Sequence, residues 1–70
     1  MKYLIVIERT ETGYSAYLPD LPGCVATGLT TKDVEENIRE AISFHLEGMA
    51  EDGESPNPPQ SFAVYQEVGS

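Results

Sequence analysis

Tyr14-Ser-Ala-Tyr-Leu-Pro-Asp-Leu-Pro-Gly-Cys-Val-Ala-Thr-Gly28 reads as a strand, a proline-rich corner and a second strand. Residues 14–18 carry the aromatic and apolar side chains that suit a pleated surface. Pro19 has no amide proton and holds Leu18 extended, so strand pairing is expected to fade there. Leu21-Pro22-Gly23-Cys24 has type II turn chemistry. Pro22 supplies the fixed φ of the second position, and Gly23 supplies the positive φ of the third. Val25 and Ala26 resume an extended run. The corner is stiff and carries one charge, Asp20, between Pro19 and Pro22.

Upstream, Tyr3-Leu-Ile-Val-Ile7 is an uninterrupted apolar run rich in β-branched residues. It predicts a central strand with both faces partly covered. Thr10-Glu-Thr-Gly13 predicts a hairpin loop with Gly13 in the left-handed region. The first strand then pairs antiparallel with the second, and a third strand around residues 24–27 extends the meander.

Downstream, Thr30 predicts a helix N-cap with Asp33 three residues on. Val34, Ile38, Ala41, Ile42, Leu46 and Met49 recur at spacings of three and four, which gathers them on one helical stripe. Glu35, Glu36, Glu40, Glu47 and Glu51 fall outside it. Gly53 is the expected C′ residue. Glu54-Ser-Pro-Asn-Pro-Pro-Gln60 is too proline-rich for helix or central strand and should lead the chain back to the sheet. Residues 61–68 alternate as a last strand, with Phe62 and Val64 on one face and Ala63, Tyr65 and Glu67 on the other. The resulting order is β-β-β-α-β, a two-layer α+β sandwich with one helix on a mostly antiparallel sheet.

Seventy residues bury only about 60% of their unfolded surface, so the core is small. A single cysteine excludes an internal disulfide, and one cysteine with one histidine leaves a structural zinc short of ligands. Self-association or a partner protein is the natural source of further burial. Twelve acidic residues against four basic ones give a net charge of -8. Such a surface repels phosphate backbones and anionic membranes, and attracts a basic protein. Met1-Lys2 precede only five apolar residues before Glu8, so neither a signal peptide nor a membrane span is expected, and the reading is a cytoplasmic protein.

The ingredients of catalysis are sparse. His45 lies within the apolar stripe without a nucleophile or carboxylate partner in any motif. Cys24 follows the turn with no positive charge to lower its pKa. Metal-dependent nuclease chemistry needs carboxylates converging from strand and helix. The first strand has none before Glu8, and the helix acids lie off the apolar stripe. The reading is therefore a non-enzyme with no catalytic residue, cofactor or metal. Four tyrosines, Tyr3, Tyr14, Tyr17 and Tyr65, sit on predicted strands. With only one helix available, one sheet face is left uncovered, and aromatic rings there are natural interface anchors.

The pattern Tyr-x-Ala-x-Leu-Pro-Asp-Leu-Pro-Gly-Cys-x-Ala-x-Gly over residues 14–28, followed by Thr30, an acidic helix start and Ile38-Arg-Glu-Ala-Ile42, closely resembles the HicB-like antitoxins. The likeness implies a partial ribonuclease H-like fold without its nuclease residues, with the last strand beside the first and parallel to it. It implies a partner, the HicA toxin, a small basic ribonuclease of double-stranded-RNA-binding fold that cuts mRNA and whose active site the antitoxin covers. It also implies dimers or tetramers. Many such antitoxins continue into a DNA-binding domain. This sequence stops at Ser70, so the expectation is a single HicB-like domain over 1–70 without that extension, and no direct contact with nucleic acid. The function expected is neutralisation of a HicA-type toxin by direct binding. The alternative is a stand-alone oligomeric binding or regulatory module with no toxin. The residues put forward for partner binding are Asp20, Tyr17, Tyr3 and Tyr65, with Pro19, Pro22 and Gly23 shaping the turn.

Overall fold

The computed structural model describes residues 1–69. Strands β1 (Val6–Arg9), β2 (Tyr14–Tyr17) and β3 (Val25–Gly28) form one antiparallel sheet in that order, and helix α1 (Thr31–Glu51) follows. The α+β architecture is the one the sequence pattern predicts. Val6 pairs with Tyr17 and Arg9 with Tyr14, while Tyr17 also pairs with Val25 and Tyr14 with Gly28. Side chains in register share a face, so Ile7, Ala16 and Ala26 form a row toward the helix. Val6, Tyr17 and Val25 form a row on the other side.

The hairpin loop is closed by Thr10. Its N–H donates to the Gly13 carbonyl at 2.8 Å, and its Oγ1 accepts from the Gly13 N–H at 3.1 Å. Gly13 does not take the positive φ expected of it. Its role is steric, because a Cβ there would collide with the Gly28 carbonyl. Gly28 in turn lets α1 start close to the sheet. A Cβ on it would stand 2.5 Å from the Val34 nitrogen.

The corner is two consecutive turns. The Leu21 N–H donates to the Leu18 carbonyl at 3.2 Å, and the Cys24 N–H donates to the Leu21 carbonyl at 3.2 Å. Gly23 has φ of 88°, as a type II turn requires. Leu18, Leu21 and Cys24 all point inward and are buried, whereas Pro19, Pro22 and Gly23 face solvent. The prolines hold the bends, and the residue at each junction is anchored in the core.

Helix α1 begins as predicted. Thr30 is extended, and its Oγ1 accepts from the Asp33 N–H at 3.0 Å. It ends in a Schellman arrangement, with the Gly53 N–H on the Ala50 carbonyl and the Glu54 N–H on the Met49 carbonyl. Val34 and Ile38 are fully buried. Ala41, Ile42, Leu46 and Met49 are half-buried, so the core thins toward the helix C-terminus. The core proper is Ala16, Leu18, Leu21, Cys24, Val34 and Ile38. The helix lies over β3 and β2 and covers β1 least.

Two expectations are corrected. Residues 61–68 form no strand, and Phe62 and Tyr65 are 83% and 104% exposed. The chain is tied to the corner at Gln60 and Ser61, and beyond Ser61 the described residues join no ladder. Alternation reports that a segment suits a ladder and leaves open which edge receives it. In consequence β1, read as central, is an edge strand. Its ladder also covers Val6–Arg9 and stops short of residues 3–5, because β2 has already turned away at Pro19.

Substituting Gly23→Val places a β-branched residue at positive φ without any clash, since nothing lies within 4 Å of the added Cβ. We expect a loss of about 1–2 kcal/mol from backbone strain alone. Thermal unfolding followed by circular dichroism checks it, and an unchanged midpoint would rule out the type II turn as a constraint.

Candidate partner-binding surface

The corner presents Asp20 at the junction of its two turns, and the carboxylate is already engaged. Its Oδ2 accepts from the backbone N–H groups of Gln60 at 3.1 Å and Ser61 at 3.0 Å. Its Oδ1 accepts from the Ser61 hydroxyl at 3.1 Å. The Ser61 N–H is the main influence holding the Asp20 carboxyl below its ordinary value. Partial desolvation opposes it, and the Gln60 N–H and Ser61 hydroxyl reinforce it. Asp20 is therefore a clamp that fixes where the C-terminal segment leaves the body. A second tie lies nearby, where the Tyr3 hydroxyl donates to the Asn57 carbonyl at 3.2 Å.

The sheet face away from α1 has no cover among the described residues. Tyr17 at 41% and Val25 at 66% exposure are its most open apolar side chains, with Val6 half-buried between strand neighbours. On the helix side a second apolar surface opens where α1 leaves β1 bare. Ile5, Ile7 and Ile42 line a shallow groove of about 300 Å³, rimmed by Glu35 and Arg39. The exposed side of α1 carries Glu35, Glu36, Glu40, Glu47 and Glu51, all open to solvent. Of these acids Glu35 rims the groove, and the others turn away from the sheet, where they give the helix layer an acidic surface.

The residues singled out from sequence separate into two groups. Tyr17 and Tyr65 are exposed and free to meet a partner. Tyr3 is half-buried against the core, and Asp20 is committed to Gln60 and Ser61. Sequence reasoning did not find the groove. Its residues were legible only singly, since Ile5 and Ile7 alternate onto the helix side and Ile42 sits on the stripe. Cys24 is buried, and burial pushes its thiol pKa up, away from reactivity. His45 is half-buried in a surface hollow with Pro22, Phe44 and Met49. Among the described residues no three of His, Cys, Asp and Glu are grouped to hold a metal ion. No helix is long and apolar enough to cross a membrane.

The family model for the HicB_like antitoxin of bacterial toxin-antitoxin systems matches residues 3–69. The chain belongs to the HicB-like antitoxin family. It is 50% identical over 54 residues to an uncharacterised 14.9 kDa protein of Haemophilus phage HP1, matching 77% of this chain and 41% of that protein. The matched part thus spans about two-fifths of the phage protein. It is 40% identical over 55 residues to a UPF0150 protein of Thermoplasma acidophilum, covering 77% of this chain and 80% of the relative. Among solved structures, a chain of a HicA3 and HicB3 toxin-antitoxin complex superposes with a TM-score of 0.73 at 37% identity, covering 84% of this chain and 70% of that one. The Leu-Pro-Asp-Leu-Pro-Gly corner that carries the family likeness is the double turn bearing the Asp20 clamp.

The clamp predicts a pH dependence. Because the Asp20 pKa is lowered in the folded chain, its contribution is fully present above the unfolded value of about 3.9. It is lost as pH falls through the lower folded value. The protection factors of the Gln60 and Ser61 amides, taken against their intrinsic exchange rates at each pH, should be high at neutral pH and fall once Asp20 is protonated. Asp20→Asn should expose both amides at all pH values. Equal protection in that variant would show that the carboxylate does not hold the segment.

Proposed function

We propose that this chain neutralises a small, basic, mRNA-cleaving toxin of the HicA type by binding it directly, and that it is not itself an enzyme. The observation that carries this reading is membership of the HicB-like antitoxin family over residues 3–69, joined to a surface of net charge -8. The structural neighbour from a HicA3 and HicB3 complex supports the same assignment. An acidic binder neutralises by occupying a basic RNA-binding face, and opposite charge speeds the encounter. Tyr17 and Val25 on the open face supply apolar contact, and the helix acids on the opposite layer attract the basic partner at long range. The same charge disfavours direct contact with nucleic acid. In this reading residues 1–70 work as one HicB-like domain, in the cytoplasm where the toxin meets mRNA. The molecule functions as a homo-oligomer, because one helix cannot cover both faces of the sheet.

The test is co-expression with each small basic protein encoded beside this gene. Growth arrest should be relieved, and the two proteins should co-elute in size exclusion. The affinity should fall steeply with salt, as expected for an electrostatically steered pair. Unrelieved arrest with no co-elution would refute the proposal. Charge reversal at Glu36, Glu40 and Glu47 should slow association more than it speeds dissociation.

A further inference from the structure

We infer that the hollow between the proline corner and the last turns of α1 docks an arginine-bearing segment of the basic protein partner. The inference rests on the function proposed above and names where on this chain one part of that partner sits.

Two recesses make up the hollow. Pro22, Phe44, His45 and Met49 line the larger, of about 520 Å³, together with Gly48. Phe44 and Gly48 also line the smaller, of about 290 Å³. The shared residues make the two one continuous surface.

Three features of this end of α1 run against the stability of the isolated chain. Phe44 is 79% exposed, a large apolar side chain on the solvent side of the helix. Gly48 stands inside a 21-residue helix, where glycine is the least favourable residue after proline. Nothing lies within 4 Å of the Cβ it lacks, so a larger residue would fit and would strengthen the helix. Glu47 and Glu51 are followed by Asp52 and Glu54, and the last turn holds no basic residue, although the helix dipole favours positive charge there. Local choices that cost stability and return no packing mark surfaces kept for another purpose. Here all three coincide at one place.

Together they suit a cation on an apolar stem. Phe44 and Gly48 lie one turn apart on the same side of the helix, so the missing side chain leaves a ledge beside the ring. A guanidinium plane stacks on an aromatic face, and its fork of N–H groups matches carboxylates. Glu47 and Glu51 line one recess, Asp52 and Glu54 the other, and all four are open to solvent. The carbonyl end of α1 adds negative potential at the same place. The Lys and Arg residues of the chain, Lys2, Arg9, Lys32 and Arg39, line neither recess, so the charge that answers these acids comes from outside. A basic protein fits better than a second copy, whose net charge of -8 would set acid against acid. Pro22 joins the hollow to the open sheet face, where Val25 lies three residues further on. A partner wrapped around the corner touches both.

The test uses the full chain and the neighbouring small basic protein that it neutralises. Gly48→Gln fills the ledge with a better helix former, so the thermal midpoint of the chain should rise while its affinity for the basic protein falls roughly tenfold. Glu51→Lys complements the helix dipole and reverses one carboxylate, and should give the same opposed pair of changes. Phe44→Ala should weaken binding by roughly tenfold or more with unchanged far-ultraviolet circular dichroism, since the side chain is exposed. In an isotope-labelled chain the Gly48 amide resonance should move when the basic protein is added. A wild-type chain that binds no neighbouring basic protein would overturn the proposed function and this inference together. A wild-type chain that binds, with Gly48→Gln and Glu51→Lys binding as tightly, would overturn the hollow alone. So would variants that lose self-association in place of affinity for the basic protein, since a second copy would then be the occupant.

Discussion

The packing of Val34 and Ile38 against Ala16, Leu18, Leu21 and Cys24 holds the molecule together, and its one-sidedness governs the rest. A single helix stripe meets one face of a three-stranded sheet. Only the first half of the stripe is fully buried, over β2 and β3. The second half is shared with solvent, and β1 stands at the margin. Removing Val34 or Ile38 would leave a cavity in a core of six buried residues, with few neighbours able to collapse into it. Everything outside that core is surface that the chain cannot cover by itself.

The corner extends the core through backbone geometry. Two turns in succession bring Leu18, Leu21 and Cys24 inward every third residue, while the prolines between them keep the chain from opening. Asp20 then links this rigid corner to the distant segment after the helix. Its carboxylate, which reads in sequence as a free charge awaiting a partner, is spent on the backbone of residues 60 and 61. The functional consequence is indirect. By fixing the root of the C-terminal segment, the corner determines where Phe62 and Tyr65 are offered.

Most of the fold was legible in the sequence because the signals were local. Thr30 with Asp33 marked the helix start, Gly53 its end, Pro22-Gly23 the turn, and periodicity of three and four the buried stripe. The failures were non-local. Gly13 was assigned a positive φ from its loop position, when its need is space beside Gly28, a residue fifteen positions away. Residues 61–68 have strand alternation, but alternation cannot name the edge that receives them, and within one chain none does. Of the candidate site residues, Tyr17 and Tyr65 proved exposed, whereas Tyr3 and Asp20 bind their own chain. The groove of Ile5, Ile7 and Ile42 has no local sequence signal, because it arises from the placement of the helix over β2 and β3 and away from β1.

Family membership, acidity and a small one-sided core support the proposal that this domain is completed by other polypeptides. If so, folding and association are one equilibrium, and stability must depend on concentration. The decisive measurement is the thermal midpoint of the isolated chain over a hundredfold range of concentration. We expect it to rise by roughly 5–10 °C across that range. A midpoint independent of concentration would mean that one copy supplies its whole core, and would contradict the account.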